Sequence, residues 1–363
     1  MSKQYRIAIV GIGAIAGMHA AAIETLDNAV VVAGSCRGEK KGHDFAAKHD
    51  CRWFADYEKM LDETKPDVVT ICTPSGAHLE PTQAAAARGI HVLCEKPLEI
   101  TTARVDQMID VCDKAGVKLG GIFPQRFNPV TRAIFDAAKT QRFGSLAAIS
   151  GYIPWWRPDD YYAPERWQGT LALDGGGALM NQGIHMVDAV QWIAGATMPE
   201  LNAKQNPVVD VFAYTAKRGH DPSLIEVEDT AVVCLHFANG ALGQFLAATS
   251  FYPGSFRRLQ IAGRDGLAEV EEDLLDHWQF RQPMDHDDAI RQQFSKQADS
   301  HGGAGDPMAF APDNHIRNIQ SFLEAIDKNE TPTVDGHEAR KAVEIIEAIY
   351  ESARDRKPVD IGG

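Results

Sequence analysis

The sequence predicts an α/β protein in which a doubly wound parallel sheet, residues 1–123, precedes a second domain over residues 124–363. The chain has 363 residues, which is enough for about two domains of roughly 150 residues each. In the first third, short apolar runs alternate with helical segments, a pattern typical of βαβ units and a parallel sheet. In the second domain, strand-like runs follow one another with tight turns, which predicts hairpins and an antiparallel sheet.

The strands and helices of the first domain are predicted from the spacing of apolar residues and from residues that begin or end helices. Gly89 and Gly116 stand where helices are expected to end, and Thr101 is the expected N-cap of the last helix. In chain order the predicted strands are 6–10, 29–33, 67–72, 90–94 and 117–120, and the predicted helices are 14–26, 77–88 and 101–115.

Pro124 and Pro129, which interrupt regular secondary structure, mark the start of the second domain. Its turns are marked by Asn239-Gly240 and Asp265-Gly266, and helices are predicted near 313–328 and, at the surface, over 338–354. The predicted strands are 208–214, 230–237, 243–249, 259–262 and 267–271.

The composition is that of a globular protein with an acidic balance. Apolar residues make up 44% and charged residues 24% of the chain, which excludes wholesale disorder and collagen-like repeats. The 36 Lys and Arg residues against 50 Asp and Glu residues give a net charge of −14. Because no net basic field is present, we expect no nucleic-acid partner.

The cysteines occur singly, and no Cys-x-x-Cys pair is present, which excludes zinc-ribbon and thioredoxin-like sites. Cys72 and Cys94 lie inside apolar runs, which indicates buried, reduced thiols and a cytoplasmic protein. The apolar segment 7–23 has the composition of a signal peptide but is short for a membrane span. A buried strand, a glycine-rich turn and a helix explain it better, so no membrane partner is expected.

A glycine-rich turn joins the first strand to the first helix. Gly11, Gly13 and Ala16 fit Gly-x-Gly-x-x-[Gly/Ala], which in a strand–turn–helix setting indicates a Rossmann dinucleotide site. Gly11 permits the tight turn, Gly13 lets a pyrophosphate approach the backbone, and the helix N-terminus offers free N–H groups to the phosphates. An ordinary βα turn is the alternative. The predicted phosphate turn comprises Gly11, Ile12, Gly13, Ala14, Ile15 and Ala16.

The end of the second strand bears on the choice of cofactor. NAD sites usually place an acidic residue there for the ribose 2′-hydroxyl, whereas this chain has Ser35, Cys36 and Arg37 and no acid before Glu39. Ser35 can hydrogen-bond a 2′-phosphate, and the Arg37 guanidinium can pair with it. We therefore expect NADP in preference to NAD, unless Arg37 is only a solvated loop residue.

Two further motifs follow strands of the first domain. Thr73, Pro74 and His78 follow one apolar run, and Glu95 and Lys96 follow the next. Because open α/β sheets bind ligands at the carboxyl ends of their strands, these residues are candidate cofactor contacts. An ordinary surface lysine is the alternative for Lys96.

The glycine-rich run GGGALMNQGIHMVD at 175–188 completes a series of motifs. Together with the phosphate turn and its His19, the Thr-Pro-x-x-x-His motif and Glu95-Lys96-Pro97, it resembles the glucose–fructose oxidoreductase / inositol dehydrogenase / MocA (Gfo/Idh/MocA) family. The resemblance implies a Rossmann domain, a C-terminal α+β domain with an open, mostly antiparallel sheet, and NAD(P)-dependent chemistry on sugar or cyclitol hydroxyl carbons. It assigns Lys96 as the catalytic lysine and His185 as the catalytic histidine.

Asn181 departs from many members of that family, which carry Asp four residues before the histidine. An amide cannot accept a proton, so Lys96 and His185 are the candidate acid/base pair and Asn181 is a hydrogen-bonding positioner. Asn also stands here in members that resemble the UDP-N-acetylglucosaminuronate 3-dehydrogenases, which makes C3 one candidate position of oxidation. The spacing places Asn181, His185, Asp188 and Trp192 on one helix face; Asp188 either orients His185 or makes a core contact.

Residues 152–169 are rich in aromatic and arginine side chains. Carbohydrate sites use flat aromatic faces, and arginine suits a carboxylate or phosphate. Core packing and a subunit interface are the alternatives. The candidate substrate contacts here are Trp155, Arg157, Tyr162 and Trp167. The family resemblance adds Arg126 as a residue near both cofactor and substrate.

The remaining candidate site residues do not match a specific sequence motif. Residues 285–288 (DHDD) lack the spacing of helical metal ligands and indicate a solvated acidic loop, so no metal is expected. Asp306 and His315 could reach the active site. The resemblance also implies subunit packing through the open sheet face, hence a homodimer or homotetramer.

The sequence thus predicts an NAD(P)-dependent sugar dehydrogenase. A substrate C–H delivers hydride to the nicotinamide while Lys96 or His185 takes the hydroxyl proton. The alternatives are a non-catalytic dinucleotide-binding sensor, a keto-sugar reductase, and an enzyme that recycles a tightly bound cofactor in place.

Overall fold

The computed structural model describes residues 3–295 and 312–362 and divides into two compact units. Of the described chain, the first unit comprises residues up to 124 together with 312–340, and the second comprises 125–295 and 341–362. Residues 312–340, which the sequence analysis assigned to the second domain, therefore lie in the first unit.

Strands and helices alternate along the first unit and cluster in the second. The strands are β1 (Tyr5–Val10), β2 (Ala29–Ser35), β3 (Arg52–Phe54), β4 (Val68–Ile71), β5 (His91–Cys94), β6 (Leu119–Gly121), β7 (Leu146–Pro154), β8 (Val208–Ala216), β9 (Thr230–Phe237), β10 (Leu242–Ala248), β11 (Arg258–Gly263), β12 (Gly266–Glu271), β13 (Leu274–Phe280) and β14 (Val359–Asp360). The α-helices are α1 (Ala14–Glu24), α2 (Glu39–Lys48), α3 (Tyr57–Thr64), α4 (Leu79–Ala86), α5 (Thr102–Ala115), α6 (Pro129–Lys139), α7 (Ile184–Ala196), α8 (Asp287–Gln293), α9 (Asp313–Asp327) and α10 (Gly336–Asp355).

A six-stranded sheet of order β3-β2-β1-β4-β5-β6 forms the first unit. Every neighbouring pair of strands is parallel. All four residues of β4 are buried, as expected for a strand covered on both faces. The strand order reverses between β1 and β4, and ligands of such sheets bind outside the carboxyl ends of the strands at this point. The predicted doubly wound parallel sheet is confirmed.

Helix α5 begins and ends at the cap residues that the sequence predicted. The Thr101 hydroxyl oxygen accepts a hydrogen bond from the Arg104 N–H, and Gly116 ends the helix with a φ of 68°. The structure adds α2, β3 and α3, which the sequence pattern did not predict. Helix α2 buries only Gly42 and Phe45 among its charged residues, so its apolar period is too sparse to detect.

Helix α9 packs with the core of the first unit. Ile319, Phe322 and Leu323 belong to the same buried cluster as Ile7 of β1 and Ile23 of α1. This cluster explains why 312–340 lie with the first unit: the apolar face of α9 is buried against elements that lie about 300 positions earlier in the chain.

The second unit contains an eight-stranded sheet of order β13-β12-β11-β7-β10-β9-β8-β14. Strands β7 and β10 pair in parallel, and all other neighbours in this order pair antiparallel. The expected mostly antiparallel sheet is confirmed, although β7, β13 and β14 were not predicted. Helix α10, predicted as a surface helix, buries Ala342, Ile346 and Ile349, so its predicted exposure is wrong.

All six cysteines are free thiols, and Cys72 and Cys94 are buried as predicted. Within residues 3–295 and 312–362, no helix has the length and apolar character needed to cross a membrane.

Candidate active site

The glycine-rich turn lies at the carboxyl end of β1 and packs against the loop that follows β4. Gly11 has a φ of +91° and donates its N–H to the Ser35 carbonyl at 2.9 Å. A Cβ at Gly11 would lie 2.7 Å from the carbonyl carbon of Cys72 and from the Thr73 nitrogen, so only glycine fits. Gly13 is the N-cap of α1 and offers no side-chain acceptor, which leaves the first N–H groups of the helix for phosphate oxygens.

The last residue of β2 and the loop after it carry the side chains expected to choose between NAD and NADP. Ser35 is buried, with 3% of its surface exposed, and the Cys36 thiol donates to the Gly38 carbonyl at 3.3 Å. Arg37 is exposed, and it forms no ion pair with any residue that the structure describes. Of the three side chains, that of Arg37 is the one that is both charged and exposed to solvent.

His78 ties together the two loops that carry the other motifs of the first unit. Its Nδ1 lies 2.9 Å from the Pro97 carbonyl oxygen, and its Nε2 lies 2.9 Å from the Thr73 carbonyl oxygen. The ring is 1% exposed. His78 therefore positions these loops through their backbones, and its predicted contact with the cofactor stays a prediction.

Glu95 forms a buried charged pair with His19. The His19 Nε2 lies 2.7 Å from Glu95 Oε1, and its Nδ1 lies 2.8 Å from the Thr70 hydroxyl. Burial by itself lowers the pKa of His19, but the nearby Cys72 and Glu95 outweigh burial and raise this pKa to about 10. Burial raises the pKa of Glu95, but the hydrogen bond and charge of His19, with the charge of Lys96, lower it to about 2.

The second carboxylate oxygen of Glu95 accepts a hydrogen bond from the backbone of Lys96, the catalytic candidate that follows it in the sequence. The Lys96 backbone N–H donates to Glu95 Oε2 at 3.1 Å, and the Lys96 side chain is half-buried. His19 belongs to the motif that carried the family resemblance, but the sequence assigned it no role. The structure gives it one: it anchors the carboxylate that holds the backbone of Lys96.

Helix α9 brings His315 beside this pair. The His315 and His19 ring centroids are 6.1 Å apart. Burial, together with the positive charges of His19 and Lys96, lowers the pKa of His315 to about 4 against the opposing effect of Glu95, so this ring is neutral at pH 7. His315 thus lies beside the His19–Glu95 pair of the first unit. That it reaches the active site stays a prediction, and Asp306 lies outside the described residues.

The second unit supplies the other catalytic candidates. Asn181 lies in a π-helical turn, Ala178–Gly183, and His185 lies half-buried in the first turn of α7. Asn181 Nδ2 donates to Asp174 Oδ1 at 2.8 Å, and Asp174 is 1% exposed. Sequence reasoning missed Asp174; the one signal was a lone acid directly before the glycine triplet.

The glycine triplet serves packing within the protein. A Cβ at Gly176 would collide with the Tyr350 hydroxyl, and one at Gly177 would collide with the Glu228 carbonyl oxygen. The Glu228 carboxylate also accepts the N–H groups of Gly177 and Leu179, at 2.9 and 2.8 Å. These contacts fix the turn that carries Asn181.

Asp188 pairs with Arg126, which decides between its two predicted roles. Arg126 Nε donates to Asp188 Oδ2 at 2.8 Å, and Nη2 donates to Oδ1 at 2.6 Å. The two side chains are 1% and 0% exposed, and the guanidinium lies 5.2 Å from the Trp192 ring centroid. Asp188 thus makes a core contact. The predicted contact of Arg126 with cofactor and substrate has no support in this geometry, because its fork is committed to a buried carboxylate.

The aromatic segment divides into core and site residues. Trp155, Arg157 and Tyr162 are buried, and the Tyr162 hydroxyl donates to Thr249 Oγ1 at 2.9 Å, so the structure favours core packing for these three predicted substrate contacts. Trp167 is half-buried and stays a candidate.

Tyr161, which the sequence analysis did not select, lies beside the catalytic candidates of the second unit. Its hydroxyl accepts from Gln182 Nε2 at 3.2 Å. Burial and the Asp174 charge raise the pKa of Tyr161 to about 12, so it holds its proton at neutral pH.

The prediction that residues 285–288 form a solvated acidic loop is wrong for Asp287. Asp287 is buried and begins α8; its carboxylate accepts from Arg142 Nη1 and from Trp278 Nε1, both at 2.7 Å. These bonds give it a structural role.

Comparison with known proteins agrees with this arrangement. A family model described as the NAD-binding Rossmann fold of an oxidoreductase family matches residues 5–122, and the model of that family's C-terminal alpha/beta domain matches residues 138–361. Myo-inositol 2-dehydrogenase of Thermotoga maritima is 25% identical over 98% of both chains. D-glucoside 3-dehydrogenase of Escherichia coli is 28% identical over 66% of this chain and 69% of its own.

Among solved structures, that of the WlbA dehydrogenase from Bordetella pertussis in complex with NADH and UDP-GlcNAcA superposes with a TM-score of 0.88 at 28% identity. The match covers 100% of this chain and 99% of that one. With both family domains matched in order, the chain belongs to the Gfo/Idh/MocA family of oxidoreductases and carries its NAD(P)-binding Rossmann domain.

Proposed function

We propose that this protein transfers hydride between nicotinamide and a secondary hydroxyl of a sugar, sugar derivative or cyclitol, with Lys96 and His185 as the acid/base pair. The observation that carries the proposal is the placement of Lys96. Lys96 follows β5 at the ligand-binding edge of the Rossmann sheet, and its backbone N–H donates to Glu95. His78 links the loop that carries Lys96 to the loop after β4, which packs on the phosphate turn.

The residues of the first unit fit a dinucleotide. Gly13 adds no side chain where a pyrophosphate would approach, and the uncapped N–H groups of α1 suit its charge. When bound, the nicotinamide supplies the hydride acceptor. Lys96 and His185 then remove or return the proton of the substrate hydroxyl, and Asn181 orients that substrate by hydrogen bonding. The same residues would serve reduction of a keto-sugar.

The test is spectrophotometric turnover of free sugars, sugar acids, inositols and UDP-sugars with NAD and with NADP. UDP-sugar acids come first in the panel because the WlbA dehydrogenase was solved with UDP-GlcNAcA. Reduction of cofactor by any member supports the proposal. Silence across the panel would favour a dinucleotide-binding sensor, and mass spectrometry of the purified protein would reveal a cofactor that is retained and recycled in place.

NADP is the proposed preferred cofactor, and Arg37 is the residue that carries this preference. Hydrogen bonds to charged groups contribute about 1.5–3 kcal/mol, so Arg37→Ala is expected to raise the KM for NADP by about 10- to 100-fold and to leave the KM for NAD unchanged. Lys41→Ala, which removes another exposed cation nearby on α2, is the control. A wild-type preference for NAD, or an equal effect of Arg37→Ala on both cofactors, would contradict the assignment.

A homo-oligomer that packs through the open sheet face is also part of the proposal. Tyr214, Val232, Leu246 and Tyr152 pair in one cross-strand row over β8, β9, β10 and β7. Tyr214 and Val232 are 60% and 51% exposed, and apolar rows of this kind mark interaction surfaces. A cytoplasmic location is proposed with it, supported by the six free thiols.

Light scattering tests the oligomer. The wild type is expected to have the mass of a dimer or tetramer, and Val232→Glu is expected to shift it toward the monomer because a charge would be buried without a partner. Leu171→Glu, at an exposed residue that belongs to none of the strands, should keep the wild-type mass. A monomeric wild type would exclude the proposed interface.

A further inference from the structure

Asn181 and Asp174 form a buried pair with unequal hydrogen-bonding capacity. Asp174 accepts from Asn181 Nδ2 through Oδ1 and from the Gly169 backbone N–H through Oδ2, both at 2.8 Å. The two residues are 8% and 1% exposed. A carboxylate accepts and does not donate, whereas a carboxamide has one accepting and one donating end. The contact therefore fixes which end of the Asn181 carboxamide faces Asp174.

Tyr161 also lies at the Asn181 carboxamide. Its hydroxyl accepts from Gln182 Nε2 at 3.2 Å and is in hydrogen-bonding contact with the Asn181 side chain. A phenol hydroxyl can donate or accept, so this contact is compatible with either end of the carboxamide, and Asp174 alone fixes the orientation. With Nδ2 directed to Asp174, Oδ1 lies on the other side of the carboxamide carbon.

We propose that Asp174 is a positioning residue for the substrate site: it holds the Asn181 carboxamide so that Asn181 presents its accepting oxygen to a hydroxyl group of the bound sugar. The inference rests on the proposed function and deepens it. A family carboxylate at position 181 would accept in either orientation of its two oxygens, whereas an amide accepts in only one. An amide at this place therefore needs a neighbour that forbids the flipped orientation, and Asp174 supplies that constraint.

Asp174→Asn tests the orientation directly. The new amide must still accept the Gly169 N–H with its oxygen, so its NH2 group would face the Asn181 NH2 group. Asn181 must then turn over and present a donor to the substrate. Because a substrate hydroxyl loses its acceptor and a donor faces it instead, kcat/KM is expected to fall by about 10- to 100-fold.

The exchanged pair is the decisive variant. In Asn181→Asp alone, two carboxylates meet at hydrogen-bond distance, which lowers the melting temperature and changes the pH profile of kcat/KM. In the double variant Asp174→Asn/Asn181→Asp, the amide donates to the carboxylate and an acceptor again faces the substrate. Both the melting temperature and kcat/KM are expected to recover from the values of the single variants toward wild type. Asp221→Asn, the same chemical change at an exposed aspartate of the second unit, is the control and should match the wild type.

Two readouts separate the possible failures. Recovery of neither quantity in the exchanged pair overturns the inference. If the melting temperature recovers but Asp174→Asn leaves kcat/KM unchanged, Asp174 has only a structural role and the inference is also overturned. Silence of the wild type toward every sugar overturns the proposed function instead; in that case the melting temperatures still decide whether Asp174 fixes the carboxamide.

Discussion

Replacement of Lys96 by alanine is expected to lower kcat by about 10²- to 10⁴-fold, the usual effect of losing a general acid or base. Cofactor affinity should change little, because the phosphate turn at Gly11 and Gly13 and the first N–H groups of α1 are untouched. Turnover of the best substrate from the panel, together with cofactor titration by fluorescence, measures the two effects. Near-wild-type kcat in this variant would exclude Lys96 from the acid/base pair.

Lys96→Arg is the matched control because it separates charge from proton transfer. Arginine keeps the positive charge but does not release its proton in proteins. If Lys96 moves a proton, the arginine variant should be impaired about as severely as the alanine variant. If the arginine variant instead retains most of the activity, the lysine acts by its charge alone and the proton passes through another group.

Arg126→Met is expected to lower the free energy of unfolding by about 3–5 kcal/mol, because it leaves the Asp188 carboxylate buried without its ion-pair partner. Urea denaturation of the protein without ligands measures the loss. Methionine keeps an unbranched apolar stem at this position but removes the guanidinium, and with it both the ion pair and the contact of the guanidinium with Trp192.

The double variant Arg126→Met/Asp188→Leu should be more stable than either single variant, since no unpaired charge remains buried. This outcome would establish Arg126 as a structural residue. A contrary result is equally clear: unchanged stability of Arg126→Met with a tenfold or greater rise in the KM for cofactor or sugar would restore the role that the family resemblance assigned to it.

The parts of the fold that follow local rules could be predicted from the sequence. The Thr101 cap, the Gly116 stop and the apolar runs of β1, β4 and β5 act within a few residues of chain, and each was found in place. Helix α2 was missed because charged residues fill most of it. The position of α9 was missed because its apolar face is complementary to α1 and β1, and no local pattern encodes such a partner.

The parts of the site that depend on backbone conformation could be predicted from the sequence. The parts that depend on contacts between side chains distant in sequence could not. Gly11 of the phosphate turn is required by the backbone itself, through its positive φ and the close approach of the loop after β4. Tyr161 and Tyr162 are neighbours in sequence, yet one hydroxyl meets Gln182 and the other meets Thr249, and no sequence pattern distinguishes them. Asp188 lies 62 positions from Arg126, so the ion pair that gives Asp188 a core contact and engages the Arg126 guanidinium is visible only in three dimensions.

The assignment of 312–340 to the first unit has a consequence for engineering. A fragment that ends at residue 124 would lack α9, and with it Ile319, Phe322 and Leu323 of its own core. Such a fragment would expose the apolar surface that α9 covers and should aggregate when expressed alone. The cofactor-binding half of this protein is therefore not a contiguous cassette. Grafting it onto another substrate domain requires three crossover points in the gene: one after residue 124, one before residue 312 and one after residue 340.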